Sequence, residues 1–184
     1  MDLCRYLRWK SHSRESGDPQ QIRESMQINW EEGLRLRVDA LRGIKYEDAK
    51  KLAEGLPLMP GAKELCAALK KAGWKMIAVS GGFTIITDRL RADLGIDRIF
   101  SNELIFKDGR LDGVTMNVTS DKAAAVRDTI KEWGIRKEDI VVVVDGANDL
   151  KLFALAGFTV GFCPVDIVRE KADGKNPVPT KTRF

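Results

Sequence analysis

"VVVVDGANDL", residues 141–150, is the stretch on which the fold class turns. Four consecutive valines bounded by turn formers read as a short strand of a sheet covered on both faces. The run stops at Asp145, and Gly146, Ala147, Asn148 and Asp149 follow, where a helix would begin. Two carboxylates four residues apart at the C-terminal end of a strand make a good place for a divalent cation. A hydrolytic site of that kind normally needs a further acid as nucleophile, so the rest of the chain has to supply one.

Working outward, the same alternation extends in both directions. "GAKELCAALKKAG" (61–73) predicts a helix with Leu65 and Leu69 on one side and Gly73 ending it. "WKMIAVS" (74–80) predicts a strand, and 84–94 a helix. Around Lys107-Asp108-Gly109 the stretch 103–118 carries a hairpin signal. "DKAAAVRDTIKEWG" (121–134) predicts a helix before the 140–145 strand. A helix from about 148, a strand over 158–163 and a helix over 165–172 follow. Strands separated by helices imply β-α-β units and an α/β fold: a Rossmann-like parallel sheet with helices on both faces. Upstream, 22–56 reads as helical, with Leu34, Val38 and Leu41 on one face. Pro57 and Pro60-Gly61 mark a boundary. The organisation expected is 1–56 as an N-terminal remnant and small helical cap, 57–172 as the core, and 173–184 as a loose polar tail.

Composition narrows the function classes. The 184 residues are 43% hydrophobic and 32% charged, as in a globular domain. The net charge of +4 is the difference between 31 basic and 27 acidic residues, interspersed along the chain. A pI of about 9.0 is therefore weak support for anionic small molecules and argues little for nucleic acid. Three scattered cysteines and a single histidine argue against a zinc site, a disulfide framework and any histidine-dependent triad. No apolar run is long enough to span a bilayer, and 1–20 lack a signal-peptide core, so a cytoplasmic protein without a membrane partner is expected. The oligomeric state is not legible.

In open α/β sheets the ligand site lies at the C-terminal ends of the strands. Ser80-Gly81-Gly82 offers a hydroxyl and backbone N–H groups to a phosphate oxygen; the alternative is an ordinary helix cap. Lys122 offers charge to a phosphate or is solvated surface. Asp145, a carboxylate straight after an apolar strand, calls for a metal or a partner. Asp149 either supports that centre or simply favours a helix start. Arg37 lies beside the apolar stripe of its helix, either snorkelling or pointing into a cleft that wants positive charge.

Together, "AVSGGF", "SDKAAAV" and "VVDGANDLKLF", in this order and spacing, resemble the haloacid-dehalogenase-type phosphatases, and among them the phosphoserine phosphatases. "INWEEGLRLRV" is similar to the cap segment of that family, and "LPLMPGAKEL", "NELIFKDGRLDG" and "FTVGFCP" to further segments. The resemblance implies that Ser80 and Gly81 hold the transferring phosphoryl group, that Lys122 stabilises its charge, and that Asn148 contacts it. Mg2+ would be ligated by Asp145 with Asp149 in support. Arg37 would bind the substrate carboxylate, and Met26 and Trp30 would pack around the bound amino acid. The first helix of the chain would bring Asp2 near the position of the substrate-clamping glutamate of the family.

The resemblance also answers where the nucleophile is. In the family it is the first Asp of an Asp-x-Asp motif on the central strand, whose second Asp is the general acid and base. No Asp-x-Asp occurs in these 184 residues. The chain is expected to begin downstream of that strand. Two further departures are a cap two residues short between Met26 and Asn29, and Val144 where the family usually has glycine. The expected function is a Mg2+-dependent hydrolase of a small phosphomonoester, phosphoserine first, impaired as written. The alternative is a non-catalytic phosphate-binding or partner-binding remnant.

Overall fold

The computed structural model describes residues 29–175, so Asp2 and Met26 lie outside the described residues. The chain divides into two compact units, 1–120 and 121–184.

In the first unit, helix α1 (Trp30–Asp39) starts where Asn29 Oδ1 accepts the N–H of Glu32 at 2.8 Å. Glu31 and Glu32 in its first turn complement the helix dipole. The predicted apolar face is realised: Leu34, Val38 and Leu41 are buried and form a core with Phe83, Leu104 and Leu111. Each such side chain contributes about 1.5–3 kcal/mol when fully buried. The helical reading of 22–56 is interrupted at 40–45, and α2 (Tyr46–Glu54) follows. The guanidinium of Arg89 donates to the carbonyls of Ala53 and Glu54 at the end of α2, at 2.9 and 2.8 Å.

Helix α3 (Ala62–Lys71) forms as expected, but none of its residues is buried and Leu65 is 60% exposed. Leu69, on the same predicted side, is only half-buried. Strand β1 (Ile77–Phe83), helix α4 (Thr84–Leu94) and strand β2 (Arg98–Lys107) make a parallel β-α-β unit. Strand β3 (Arg110–Thr115) returns antiparallel to β2 through the two-residue turn Asp108-Gly109. Both turn residues have positive φ, 50° and 71°, the backbone that makes Asp-Gly a hairpin signal.

In the second unit, helix α5 (Lys122–Glu132) is capped by Asp121 Oδ1, which accepts from Ala124 N–H at 3.3 Å. Strand β4 (Val141–Val144) leads into the helix expected from about 148, which is a 3-10 helix over Ala147–Leu155. Strand β5 (Phe158–Gly161), helix α6 (Asp166–Lys171) and strand β6 (Gly174–Lys175) complete a second parallel sheet. Residues 173–175 are thus part of the sheet and not loose tail. Asp173 Oδ2 accepts from the hydroxyl and the N–H of Thr159 at 2.7 and 2.9 Å, which holds its carboxyl below the usual range.

The class is α/β, with the strands in two three-stranded sheets ordered β1-β2-β3 and β4-β5-β6. Among the described residues β1 pairs only with β2, and β4 only with β5, so each has one unpartnered edge. The expected double coverage of the valine strand is corrected: Val141 and Val143 are exposed, and so is Phe158, the partner of Val141 on β5. None of the described helices is long and apolar enough to cross a membrane.

Candidate active site

In the first unit, Trp30, Ser80 and Gly81 come together near the end of β1. The strand does not stop at Ser80. It runs on to Phe83 through an irregularity: Val79 pairs with Phe100 and Phe83 with Asn102, so three residues of β1 face one residue of β2. Ser80, Gly81 and Gly82 form this bulge, a device that lifts side chains and peptide groups out of the ladder. Ser80 Oγ accepts the N–H of Gly82 at 3.0 Å. A hydroxyl used as acceptor still has its proton to donate.

Trp30 stands directly against this bulge. A Cβ built on Gly81 would lie 2.5 Å from Cζ2 of its indole, so the ring occupies the space a side chain at 81 would need. One residue on, Glu31 Oε1 accepts the N–H of Ser120 at 2.7 Å. Two adjacent residues therefore fix the start of α1 to the β1 bulge and to the loop after β3. Arg37 is exposed, beside the stripe formed by the buried Leu34 and Val38. It follows Trp30 by seven residues, two turns at 3.6 residues each, so both lie along one side of α1.

The sequence reading missed Asn102. It sits in β2, fully buried, with Nδ2 donating to the carbonyl of Gly81 at 3.1 Å. Its Oδ1 accepts from the N–H groups of Asn117 and Val118 at 2.9 and 2.8 Å. A lone Asn inside a strand has no local signal for burial; the partners lie at 81 and at 117–118.

In the second unit, Lys122 opens α5 and Asp149 lies in the 3-10 helix after β4. Their side chains form an ion pair between Nζ and Oδ1, with only 17% and 10% of the side chains exposed. That ion pair is the partner of Asp149 Oδ1, which is buried and has no directed hydrogen bond besides. Removing one member of such a pair typically costs about 3–5 kcal/mol, because the other charge stays behind. Lys122 is accordingly held in place and is not free surface. Asp145 and Asn148 are both exposed, so the argument that Asp145 needs a partner because it is buried does not apply.

Metal fit follows from these placements. Asp149 Oδ2 lies 3.9 Å from where a Cβ on Gly146 would sit, so its second oxygen turns back toward the residue after Asp145. The donors at this turn are hard carboxylate oxygens, one exposed and one partly committed to Lys122, which suits Mg2+ better than a soft metal. No group of three His, Cys, Asp or Glu side chains that could hold a metal is found among the described residues. Any ion here would therefore complete its shell with water or phosphate oxygens, as Mg2+ commonly does.

Residues 4–154 match the sequence profile of the haloacid dehalogenase-like hydrolases. The chain is 37% identical over 170 residues to a phosphoserine phosphatase of Methanocaldococcus jannaschii, covering 88% of this chain and 81% of that protein. It is 39% identical over 151 residues to a phosphoserine phosphatase of Archaeoglobus fulgidus, covering 80% of this chain and 44% of that longer one. A solved substrate-bound phosphoserine phosphatase complex superposes with a TM-score of 0.76 at 36% identity, covering 82% of this chain and 73% of that one. The chain belongs to the haloacid dehalogenase-like hydrolase family, in which it is similar to the phosphoserine phosphatases.

Proposed function

We propose that these residues are the phosphate- and amino-acid-binding machinery of a Mg2+-dependent phosphoserine phosphatase, acting on a small phosphomonoester in the cytoplasm as part of serine formation. The observation that supports it most is the seating of Trp30 on Gly81, beside the Ser80 hydroxyl. It brings the helix that carries Arg37 to the phosphate-binding bulge, so one ligand could engage both. Ser80 would donate its proton to a phosphoryl oxygen, with the Gly81 backbone beside it, and Asn148 would contact the same group. Lys122, oriented by Asp149, would offset charge on the transferring phosphoryl, where fixed positive groups are worth most. Arg37 would take the substrate carboxylate, and Trp30 would pack on the amino-acid moiety, with Met26 and Asp2 as further contacts. Asp145, supported by Asp149, would hold Mg2+, which when bound supplies positive charge to the phosphoryl oxygens. In domain terms, 1–56 would serve as cap and the residues from 57 through strand β6 as core.

The step that forms and breaks a covalent phosphoryl intermediate needs a nucleophilic carboxylate, and no Asp-x-Asp lies in the sequence. The 184 residues expressed alone are therefore expected to release no phosphate from phosphoserine. Release that disappears on Lys122→Ala would sink that expectation. Fusing an apolar strand ending in Asp-x-Asp-x-Thr ahead of Met1 should give Mg2+-dependent hydrolysis, with phosphoserine the best substrate. In that fusion Arg37→Ala should lower kcat/KM for phosphoserine about ten- to a hundredfold more than for a phosphomonoester without a carboxylate. Equal losses would remove the amino-acid assignment and leave a generic phosphatase. The same absence of Asp-x-Asp favours a second reading, a non-catalytic phosphate binder, which a fusion with no activity but intact phosphoserine binding would support.

A further inference from the structure

We propose that Asn102 is a positioning residue for phosphate binding, acting on Ser80 through the Gly81–Gly82 peptide. This inference rests on the phosphoryl-binding role given to Ser80 above. The peptide group between Gly81 and Gly82 is held at both ends: its carbonyl accepts from Asn102 Nδ2 at 3.1 Å, and its N–H donates to Ser80 Oγ at 3.0 Å. With no side chain at either position, these two hydrogen bonds, together with the Trp30 ring against Gly81, restrain a backbone that could otherwise reach conformations closed to other residues.

The orientation of the Asn102 amide is unambiguous. Its oxygen faces two N–H groups and its nitrogen faces a carbonyl, so only one of the two flips satisfies all three bonds. The side chain is fully buried, and the peptide turn at 117–118 grips its oxygen. Asn102 is thus a rigid post. It sets the plane of the Gly81–Gly82 peptide, and that plane sets where a lone pair of Ser80 Oγ is engaged. With the acceptor side occupied, the hydroxyl proton is turned outward, toward the position a phosphoryl oxygen would take. Aspartate at 102 would keep the acceptor for Asn117 and Val118 but could not donate to Gly81 when ionised.

The test uses the 184-residue chain with O-phosphoserine and Mg2+, reading affinity by calorimetry and exchange of the Gly82 amide by NMR. Asn102→Asp should speed exchange at Gly82 and weaken O-phosphoserine about tenfold, the scale of one hydrogen bond. The amides of Asn117 and Val118 should stay protected. If Asn102 acts through Ser80, the double variant with Ser80→Ala should lose no more affinity than Ser80→Ala alone. A merely structural residue would give additive losses. Should Asn102→Asp fail to fold, Asn102→Ser, smaller and neutral, carries the same cycle. Unchanged Gly82 exchange, or additive losses, would overturn the assignment. A wild-type chain that takes up no O-phosphoserine would instead sink the phosphoserine reading, and Gly82 exchange would then decide the role of Asn102 by itself.

Discussion

Strands β1 and β4 look alike in the sequence: each is a short apolar run followed by small and polar residues. In the fold they differ sharply. The end of β1 is closed in. Phe83 is 2% exposed, Trp30 lies on Gly81, and Asn102 holds the peptide that follows. At β4 only Val144 is buried; the face that carries Val141 and Val143 is open, with Val143 60% exposed, and Asp145 follows at the surface. Hydrophobicity specifies that a segment is a strand, while coverage depends on which other segments arrive to pack on it. For β1 those segments are α1 and β2; for β4 the described residues supply only one neighbouring strand and the 3-10 helix.

The difference can be broken most directly at its closed end. Phe83→Ala should destabilise the protein by about 3–5 kcal/mol, the usual cost of emptying a buried aromatic site. Urea unfolding measures it, and a loss below about 1 kcal/mol would mean the end of β1 is far less sealed than its contacts imply. A smaller effect is expected at the glycine. Gly81→Ala forces a Cβ into the indole of Trp30 and should cost about 1–3 kcal/mol, as overpacking does. Most of that cost should vanish in a Trp30→Leu background, and a thermal-melt double-mutant cycle without coupling would contradict the contact. The least effect belongs to β4. Val143→Thr should leave the unfolding midpoint within about 0.5 kcal/mol of wild type, as surface changes do. A loss near that of Phe83→Ala would show the valine face to be covered in solution.

What the sequence revealed follows the same division. The apolar triad of α1, the Asp-Gly hairpin, the helix over 121–134 and the β-α-β order were legible because their signals are local. Arg37 was read as beside the stripe, and it is exposed next to the buried Val38. The valine run was read as doubly covered because composition carries no information about neighbours. Ser80 was expected to end its strand, whereas the bulge pairs on beyond it. Asn102 was invisible for a stronger reason: a polar residue in a strand ordinarily marks the solvent side, and its three hydrogen bonds join segments 15 to 21 residues away. Lys122 and Asp149 were singled out separately, and only folding makes them one ion pair.

The order of strands in each sheet also bears on how the protein is made. Both sheets run β1-β2-β3 and β4-β5-β6, the order in which a ribosome delivers them, so every strand pairs with the one synthesised next to it. Only the β2-β3 hairpin closes a small loop; the parallel pairings wait for a crossover to be made and are the slower part of the assembly. The first sheet has all its strands before β4 is translated. Between Val144 and Phe158 lie thirteen residues, on the order of one second of elongation at about 5–20 residues per second. For that interval the four valines have neither their parallel partner nor a covering face. The nascent chain is then at its most adhesive, and a chaperone would have most to gain by meeting it there.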